Sequence, residues 1–339
     1  MKTYNVAVLG ATGAVGQEMI KLLEERCFPI HILKPLASQR SVGKKVLFRG
    51  QEIEVELACA QAFKGMDIVL SAVDNEWAKE YAKAIQEAGA VMIDNSSAFR
   101  LDPKVPLIVP EINPQDALNH QGILANPNCS TIIALTAVNA IHQMAPIKKM
   151  IVSTYQAVSG AGVAGIEELT NQVMALGHGK QAEVKTFPYQ IAYNLIPQIG
   201  SFDEMGYTSE EMKMQNEGRK ILHCPDLRVN CTCVRVPVLR SHSISITLEC
   251  ETPISVEEAK AAIKNAKGCV LKDDPAQQCY PMPLDTSNQD LVYVGRIRED
   301  ITSDQGGLSL WCCGDQIRKG AATNAIQIAE LLIQQNKEE

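Results

Sequence analysis

A chain of 339 residues is long enough for a large core and two domains, and its 46% hydrophobic and 21% charged residues are the balance of a globular protein. The net charge of −7 argues against a general nucleic-acid binder and against a membrane-surface protein, while leaving room for a local cationic pocket. No apolar run is long enough for a transmembrane helix, and the opening MKTYNVAVLG has no signal-peptide layout, so the expected compartment is the cytoplasm.

In chain order, residues 4–9 (YNVAVL) read as a buried parallel strand, followed by the glycine-rich GATGAVG and a helix over QEMIKLLEER. Apolar runs follow at 30–38, 66–73 and 90–97, with the helical stretch EWAKEYAKAIQEAG between the last two; PLIVPEIN and GILANP are short extended pieces. This alternation predicts a doubly wound, Rossmann-type α/β dinucleotide-binding domain over 1–128. From residue 129 the texture changes. STIIALTAVNAIHQM reads as a long helix, KKMIVSTYQAV as a strand and GIEELTNQVMAL as a helix. LRVNCTCVRVPV, SISITLECE, CVLKDD, LVYVGRIRE and GLSLWCCG then read as strands rich in β-branched residues. They predict an α+β catalytic and dimerisation domain over 129–319, with a mixed sheet and helices on one face. The last helix, KGAATNAIQIAELLIQQNK, is assigned back to the first domain as 320–339.

Eleven cysteines is an odd number, and a reducing compartment leaves them as thiols. It also sets aside the glycosylation-type triplets at Asn95, Asn128 and Asn230. Cys231 with Cys233, and Cys312 with Cys313, lack zinc-site spacing and read as small buried side chains, so no metal is expected.

Two motifs carry chemistry. The first is the glycine loop, with Gly10, Gly13 and Gly16 spaced GxxGxxG between a strand and a helix, the context of a dinucleotide site. Gly10 suits the tight turn, Gly13 the approach of a pyrophosphate, and Gly16 the packing of helix on strand; Thr12, Ala14 and Val15 complete the expected cofactor contact. An NAD site carries an acid near the end of the second strand, yet residues 30–51 contain none. Ser38, Arg40 and Ser41 stand there instead and suit the 2′-phosphate of NADP. The second motif is NPNCST. Pro127 and Asn128 close a turn, and Cys129 falls in the first turn of a helix, where amides and dipole favour a thiolate.

GATGAVG, NSSAFR, NPNCST, YQAVSGAG, RVPVLRSHS and GDQIRKGAA occur in this order, and together they resemble the aspartate-β-semialdehyde dehydrogenase family from end to end. The resemblance implies reduction of aspartyl 4-phosphate with NADPH to aspartate semialdehyde and phosphate through a cysteine thioester, by a homodimer or homotetramer. It makes Cys129 the nucleophile, His242 the acid/base and Gln156 the positioning amide. Arg235 becomes the carboxylate clamp, Arg100 the phosphate contact with Lys220 beside it, and Glu217 the partner of the substrate ammonium, with Asn128 also in the substrate set. Ser159 and Gly160 would face the nicotinamide, and Gln316 would bond its carboxamide. Arg235 and His242 are seven residues apart, an interval that sends side chains to opposite faces of one unbroken strand; Pro237 provides a place to break it. The nearest rival is N-acetyl-γ-glutamyl-phosphate reductase, whose cysteine motif resembles PGCYPT. Glyceraldehyde-phosphate dehydrogenase shares the chemistry but resembles SCTTN around its cysteine. A cysteine hydrolase leaves the glycine loop without a use, and a regulatory dinucleotide-binding protein leaves Cys129 and His242 idle.

Overall fold

The computed structural model describes residues 2–335. The chain divides into two compact units, one holding residues up to Asn128 and those from Ala321 on, the other Cys129–Gly320.

The first unit begins with β1 (Tyr4–Leu9), α1 (Ala14–Glu25) and β2 (Ile30–Ala37). A hairpin of β3 (Lys45–Phe48) and β4 (Gln51–Glu54) follows, then β5 (Glu56–Leu57), β6 (Ile68–Ser71), α2 (Asn75–Glu87), β7 (Val91–Asp94) and β8 (Ile123–Ala125). The six-stranded sheet runs β5-β2-β1-β6-β7-β8, and all its pairings are parallel. Its central strands are continuous apolar runs because both faces are covered. The chain turns one way from β1 to β2 and the other way from β6 to β7, so right-handed crossovers put α1 and α2 on opposite faces. The C-terminal helix α8 (Thr323–Gln335) packs with α1; Val6, Leu23, Leu70 and Ile326 belong to one core there. The helix expected to run to Lys337 is thus present to Gln335, and residues 336 and 337 lie outside the described residues.

One sequence reading needs correction here. The stretch SQRSVGKK (38–45), read as the end of the second strand, lies beyond it: β2 ends at Ala37. A short turn takes Gln39–Ser41, and Lys45 already starts β3. The hairpin closes through Arg49 (φ 49°) and Gly50 (φ 73°), the two positive angles that a two-residue hairpin loop requires. Charged outward residues had hidden these strands.

The second unit contains α3 (Cys129–Met144), β9 (Ile147–Gln156), α4 (Gly162–Gly177), α5 (Ser209–Ile221), β10 (Arg228–Arg235) and β11 (His242–Cys250). It continues with α6 (Val256–Asn265), β12 (Cys269–Leu271), the one-turn α7 (Pro283–Thr286), β13 (Val292–Asp300) and β14 (Gly307–Gly314). Its sheet runs β10-β9-β11-β14-β13-β12 and is mixed: the two outer pairs are parallel and the three inner ones antiparallel. Helix α3 lies across the middle strands, with α5 beside β10 and α6 beside β12 and β13. The even-numbered residues of β9 and β11 face this layer and are mostly buried, whereas Ile151 and Tyr155 on the opposite face are exposed.

Candidate active site

In the first unit, the loop after β1 is built by close approach. A Cβ on Gly10 (φ 86°) would stand 2.5 Å from the Ala72 carbonyl oxygen, and one on Gly16 would stand 2.2 Å from that of Gly10. Gly16 therefore seats α1 on the turn itself rather than on the strand. Gly13 has more room and caps α1, so its lack of a side chain is not a packing need. A cavity of about 280 Å³ lies beside Gly10, Thr12 and Gly13, with Ser38, Arg40 and Ser41 on one wall and the residues after β6 on the other. It opens between the carboxyl ends of β1 and β6, where the strand order reverses and where open α/β sheets bind their ligands. Thr12 Oγ1 donates to Ser41 Oγ at 3.1 Å, tying the two ligand loops together. Arg40 is exposed, while Ser41 is buried. Ala14 and Val15 form the first turn of α1.

The second unit holds a row of side chains across three strands. Arg235 ends β10 and pairs with Gln156 at the end of β9; β11 runs antiparallel to β9, with Ser243 opposite Tyr155, so His242 falls opposite Gln156. All three side chains face the helix layer. Arg235 and His242 thus lie on separate strands that flank β9, with 236–241 as connection, and the parity of their interval does not apply. Ser241 enters β11 with φ 75°, a left-handed geometry uncommon for a side-chain-bearing residue. Its amide donates to Gln316 Oε1 at 2.9 Å, which holds the turn that aims His242 inward.

Cys129 begins α3, and its Sγ lies 3.4 Å from His242 Nε2. The amide of Ala157 donates to His242 Nδ1 at 3.0 Å. A backbone N–H can only donate, so the neutral ring carries its proton on Nε2, the nitrogen that faces the sulfur. Burial, and then the positive charge of Arg235, hold the His242 pKa down to about 3, with Glu210 pulling the other way. The ring is therefore a neutral donor. Burial also lowers the Arg235 pKa, opposed by Cys129 and Glu210, and its Nη1 donates to the Ala157 carbonyl at 2.7 Å.

The remaining expected residues sort clearly. Ser159 and Gly160 lie beside this row. A Cβ on Gly160 would stand 2.7 Å from Arg235 Nη1 and 3.3 Å from His242 Cε1. Arg235 and His242 thus leave no room for a side chain at Gly160. Gln316 likewise has its Oε1 on the Ser241 amide and its Nε2 on Ser159 Oγ, so in this structure it is a strut between two site loops. Glu217 is buried and Lys220 half-buried on α5, one turn apart. In the first unit, Arg100 is buried, with Nε on the Asn126 carbonyl at 2.9 Å and Nη2 on the Asn95 carbonyl at 2.7 Å. Asn128, the residue before Cys129, is buried as well.

A family model described as "Semialdehyde dehydrogenase, dimerisation domain" matches residues 138–319, and one described as "Semialdehyde dehydrogenase, NAD binding domain" matches residues 5–120. The aspartate-semialdehyde dehydrogenase of Synechocystis sp. is 52% identical over 97% of this chain and 97% of its own length. That of Aquifex aeolicus is 50% identical over 98% of both. The chain belongs to the aspartate-semialdehyde dehydrogenase family. Among solved members, aspartate semialdehyde dehydrogenase II from Vibrio cholerae, complexed with ASA, is similar at a TM-score of 0.96 and 44% identity, covering 98% of this chain and 99% of that one. The aspartate semialdehyde dehydrogenase from Candida albicans with NADP is similar at a TM-score of 0.75 and 25% identity, over 99% of both chains.

Within this family frame, the sequence reading passed over three residues that shape the site. Gly320 lies within the GDQIRKGAA motif, and a Cβ there would stand 2.8 Å from Cys129 Cβ, so glycine is what lets the chain pass the nucleophile. Ser241 left no signal, because a left-handed serine looks like any other. Glu210 is 8% exposed in the first turn of α5 and reaches Gln156. Its signal was faint: TSEE opens a capping box, in which Thr208 and Glu211 cap the helix and leave Glu210 pointing elsewhere.

All eleven cysteines are free thiols. No helix among the described residues is long and apolar enough to cross a membrane.

Proposed function

We infer that the chain catalyses the NADPH-dependent reductive dephosphorylation of L-aspartyl 4-phosphate to L-aspartate 4-semialdehyde, through a thioester on Cys129. The observation that carries this reading is the Cys129 sulfur at a helix N-terminus, 3.4 Å from an imidazole Nε2 whose proton faces it. A thiolate there is favoured by the amides of the first turn and by the neighbouring N–H. It attacks the acyl carbon and expels phosphate, leaving a thioester. NADPH, when bound, supplies the hydride that reduces the thioester. The oxyanion then collapses to aldehyde and returns the thiolate, so the one proton consumed goes to the departing phosphate. His242 Nε2–H serves first the thiolate and then each oxyanion.

The first-unit cavity fits the cofactor, because Gly10 and Gly16 have no room for a Cβ and no acid stands in residues 30–51. We assign the pyrophosphate to the Gly10–Gly16 loop and the 2′-phosphate to Ser38, Arg40 and Ser41. Arg40→Ala is expected to weaken NADP binding roughly 10- to 100-fold, the scale of one charge-assisted phosphate contact, and to change NAD binding less than about threefold. Titration calorimetry with both nucleotides checks this, and equal losses would remove Arg40 from the 2′-phosphate.

For the substrate, we assign the α-carboxylate to Arg235, the ammonium to Glu217 and the phosphate to Arg100 with Lys220 and Asn128. We assign the nicotinamide end to Ser159, Gly160 and Gln316, with Ser159 and Gln316 held by the strut described above. Arg235→Leu is expected to raise the KM for aspartate semialdehyde by roughly 100-fold, the worth of a charged bidentate pair. Unchanged saturation by semialdehyde would take Arg235 out of the carboxylate role.

We place a homodimer or homotetramer interface on the exposed sheet face that carries Ile151 and Tyr155, supported by the match to a dimerisation-domain family. A monomeric mass by light scattering would refute it. The reaction is tested with semialdehyde, phosphate and NADP, following the absorbance of reduced nicotinamide. No reduction with either nucleotide overturns the reading. Reduction only with N-acetylglutamate semialdehyde transfers it to the rival reductase, which the named relatives do not favour.

A further inference from the structure

Apart from its pairing with β9, Arg235 is placed by three contacts. Ile196 exchanges both backbone hydrogen bonds with it: the Ile196 amide donates to the Arg235 carbonyl at 3.0 Å, and the Arg235 amide to the Ile196 carbonyl at 2.8 Å. This covers the end of β10, which is the edge strand of its sheet. On the side chain, Nη1 donates to the Ala157 carbonyl at 2.7 Å, and the guanidinium carbon lies over the Phe187 ring, 5.9 Å from its centroid. Among the described residues, Nε and Nη2 hydrogen-bond to nothing, which leaves them as a fork for a carboxylate.

Phe187 is buried although it lies in a loop, in a small cluster with Val158, Leu169, Ile191, Ala192 and Ile196. Helix α4 ties that loop down on both sides of the ring. Gln172 Oε1 accepts from the amides of Ile191 and Ala192 at 2.9 and 3.0 Å, and its Nε2 donates to the Glu183 carbonyl at 2.8 Å. Glu168, one turn earlier, accepts from the same Nε2 and from the Thr186 amide. The ring tip rests on Gly165, where a Cβ would stand 3.2 Å from Phe187 Cζ.

We propose that Phe187 is a positioning residue for Arg235, the face of its ring holding the guanidinium in the orientation that meets the substrate α-carboxylate. The proposal rests on the carboxylate reading of Arg235 above. An aromatic face attracts a cation without taking up any N–H, so it fixes a guanidinium and leaves its donors to the substrate. A carboxylate in the same place would fix it too, but would neutralise the charge and occupy the fork. Phe187 acts through Arg235, so its loss should reach the binding of semialdehyde and not the chemistry at Cys129.

The test is made in the full-length protein. Phe187→Leu keeps most of the apolar volume and loses the flat face. It is expected to raise the KM for aspartate semialdehyde about 5- to 30-fold, the scale of a desolvated cation–π contact. The kcat, the KM for phosphate and the affinity for NADP should stay within about twofold of wild type. In an Arg235→Leu background the same change should cost less than about twofold, because the residue it acts through is gone. Ile191→Val trims the same cluster but keeps the ring, and should leave the KM unchanged whatever it does to the melting temperature. An unchanged KM in Phe187→Leu, a loss that falls on kcat, or a loss of equal size in the Arg235→Leu background overturns the proposal. So does an Ile191→Val enzyme whose KM rises as much, because packing alone would then set it. If Phe187→Leu does not fold, a ring-fluorinated phenylalanine at the same position keeps the shape and weakens the face. Its KM should rise about two- to fivefold, and a wild-type value overturns the proposal. Arg235→Leu separates the two levels: unchanged saturation there brings down the carboxylate reading, whereas an impaired Arg235→Leu with an unaffected Phe187→Leu brings down only this inference.

Discussion

Cys129→Ala is expected to lower turnover at least about 10⁴-fold, because covalent catalysis has no substitute path once its nucleophile is gone. The pyrophosphate and 2′-phosphate contacts assigned above lie in the other compact unit, so NADP should bind as tightly as to wild type. Fold and melting temperature should also hold, since the lost sulfur leaves a side chain of compatible size beside Gly320. Steady-state kinetics, with nucleotide titration on the same preparation, checks both halves. Substantial residual turnover would mean that the nucleophile is elsewhere among the eleven cysteines, or absent.

His242→Asn is the second large effect. The shorter amide can still accept from the Ala157 amide, so the local backbone is preserved while the donor facing Cys129 is removed. A loss of about 10²- to 10⁴-fold in kcat is expected, with little change in NADP affinity. The pH behaviour sharpens this. With its folded pKa down to about 3 against an ordinary 6.5, His242 is neutral throughout the working range. The wild-type kcat/KM profile should therefore show no histidine inflection between about pH 5 and 8, unlike an ordinary exposed histidine. Stability carries the same sign. Between 6.5 and about 3 the unfolded chain binds a proton at this residue that the folded chain refuses. Stability from this group is thus complete above 6.5 and falls as pH drops, by up to about 1.4 kcal/mol per pH unit. Urea unfolding in steps down to pH 5 should show a shallower fall in His242→Asn than in wild type. An inflection near neutrality in the wild-type rate profile, absent from the variant, would show that the active ring is charged instead.

What the sequence made legible was local. The glycine loop lies between a strand and a helix a few residues away, and NPNCST places a turn, a cysteine and a helix start in one hexapeptide. The strand-and-helix alternation was readable because buried parallel strands are continuous apolar runs. The Lys45–Phe48 strand was not, since it is only four residues long and its inward side chains, Val46 and Phe48, are too few to set up a readable alternation. What needed the folded chain was pairing across distance. Arg235 and His242 read as a parity problem on one strand, and became neighbours only because β10 and β11 both flank β9. Gly320 is far from Cys129 in sequence, and its reason for being glycine is a 2.8 Å approach that no spacing rule contains. Glu210 read as one acid in a helix start, and only the register of α5 over Gln156 gives it a target. Gly160 likewise owes its missing side chain to Arg235 and His242, which reach it from two strands distant in sequence.

The most direct test of the account omits phosphate. Aspartate semialdehyde and NADP are mixed with the enzyme alone, so that oxidation can proceed to the thioester but not beyond it. A burst of reduced nicotinamide equal to the number of active sites is predicted, together with one aspartyl group found by peptide mass mapping on Cys129. Addition of phosphate should release the group and restart turnover. Steady oxidation without phosphate, or an acyl group mapped to any other residue, would contradict the account.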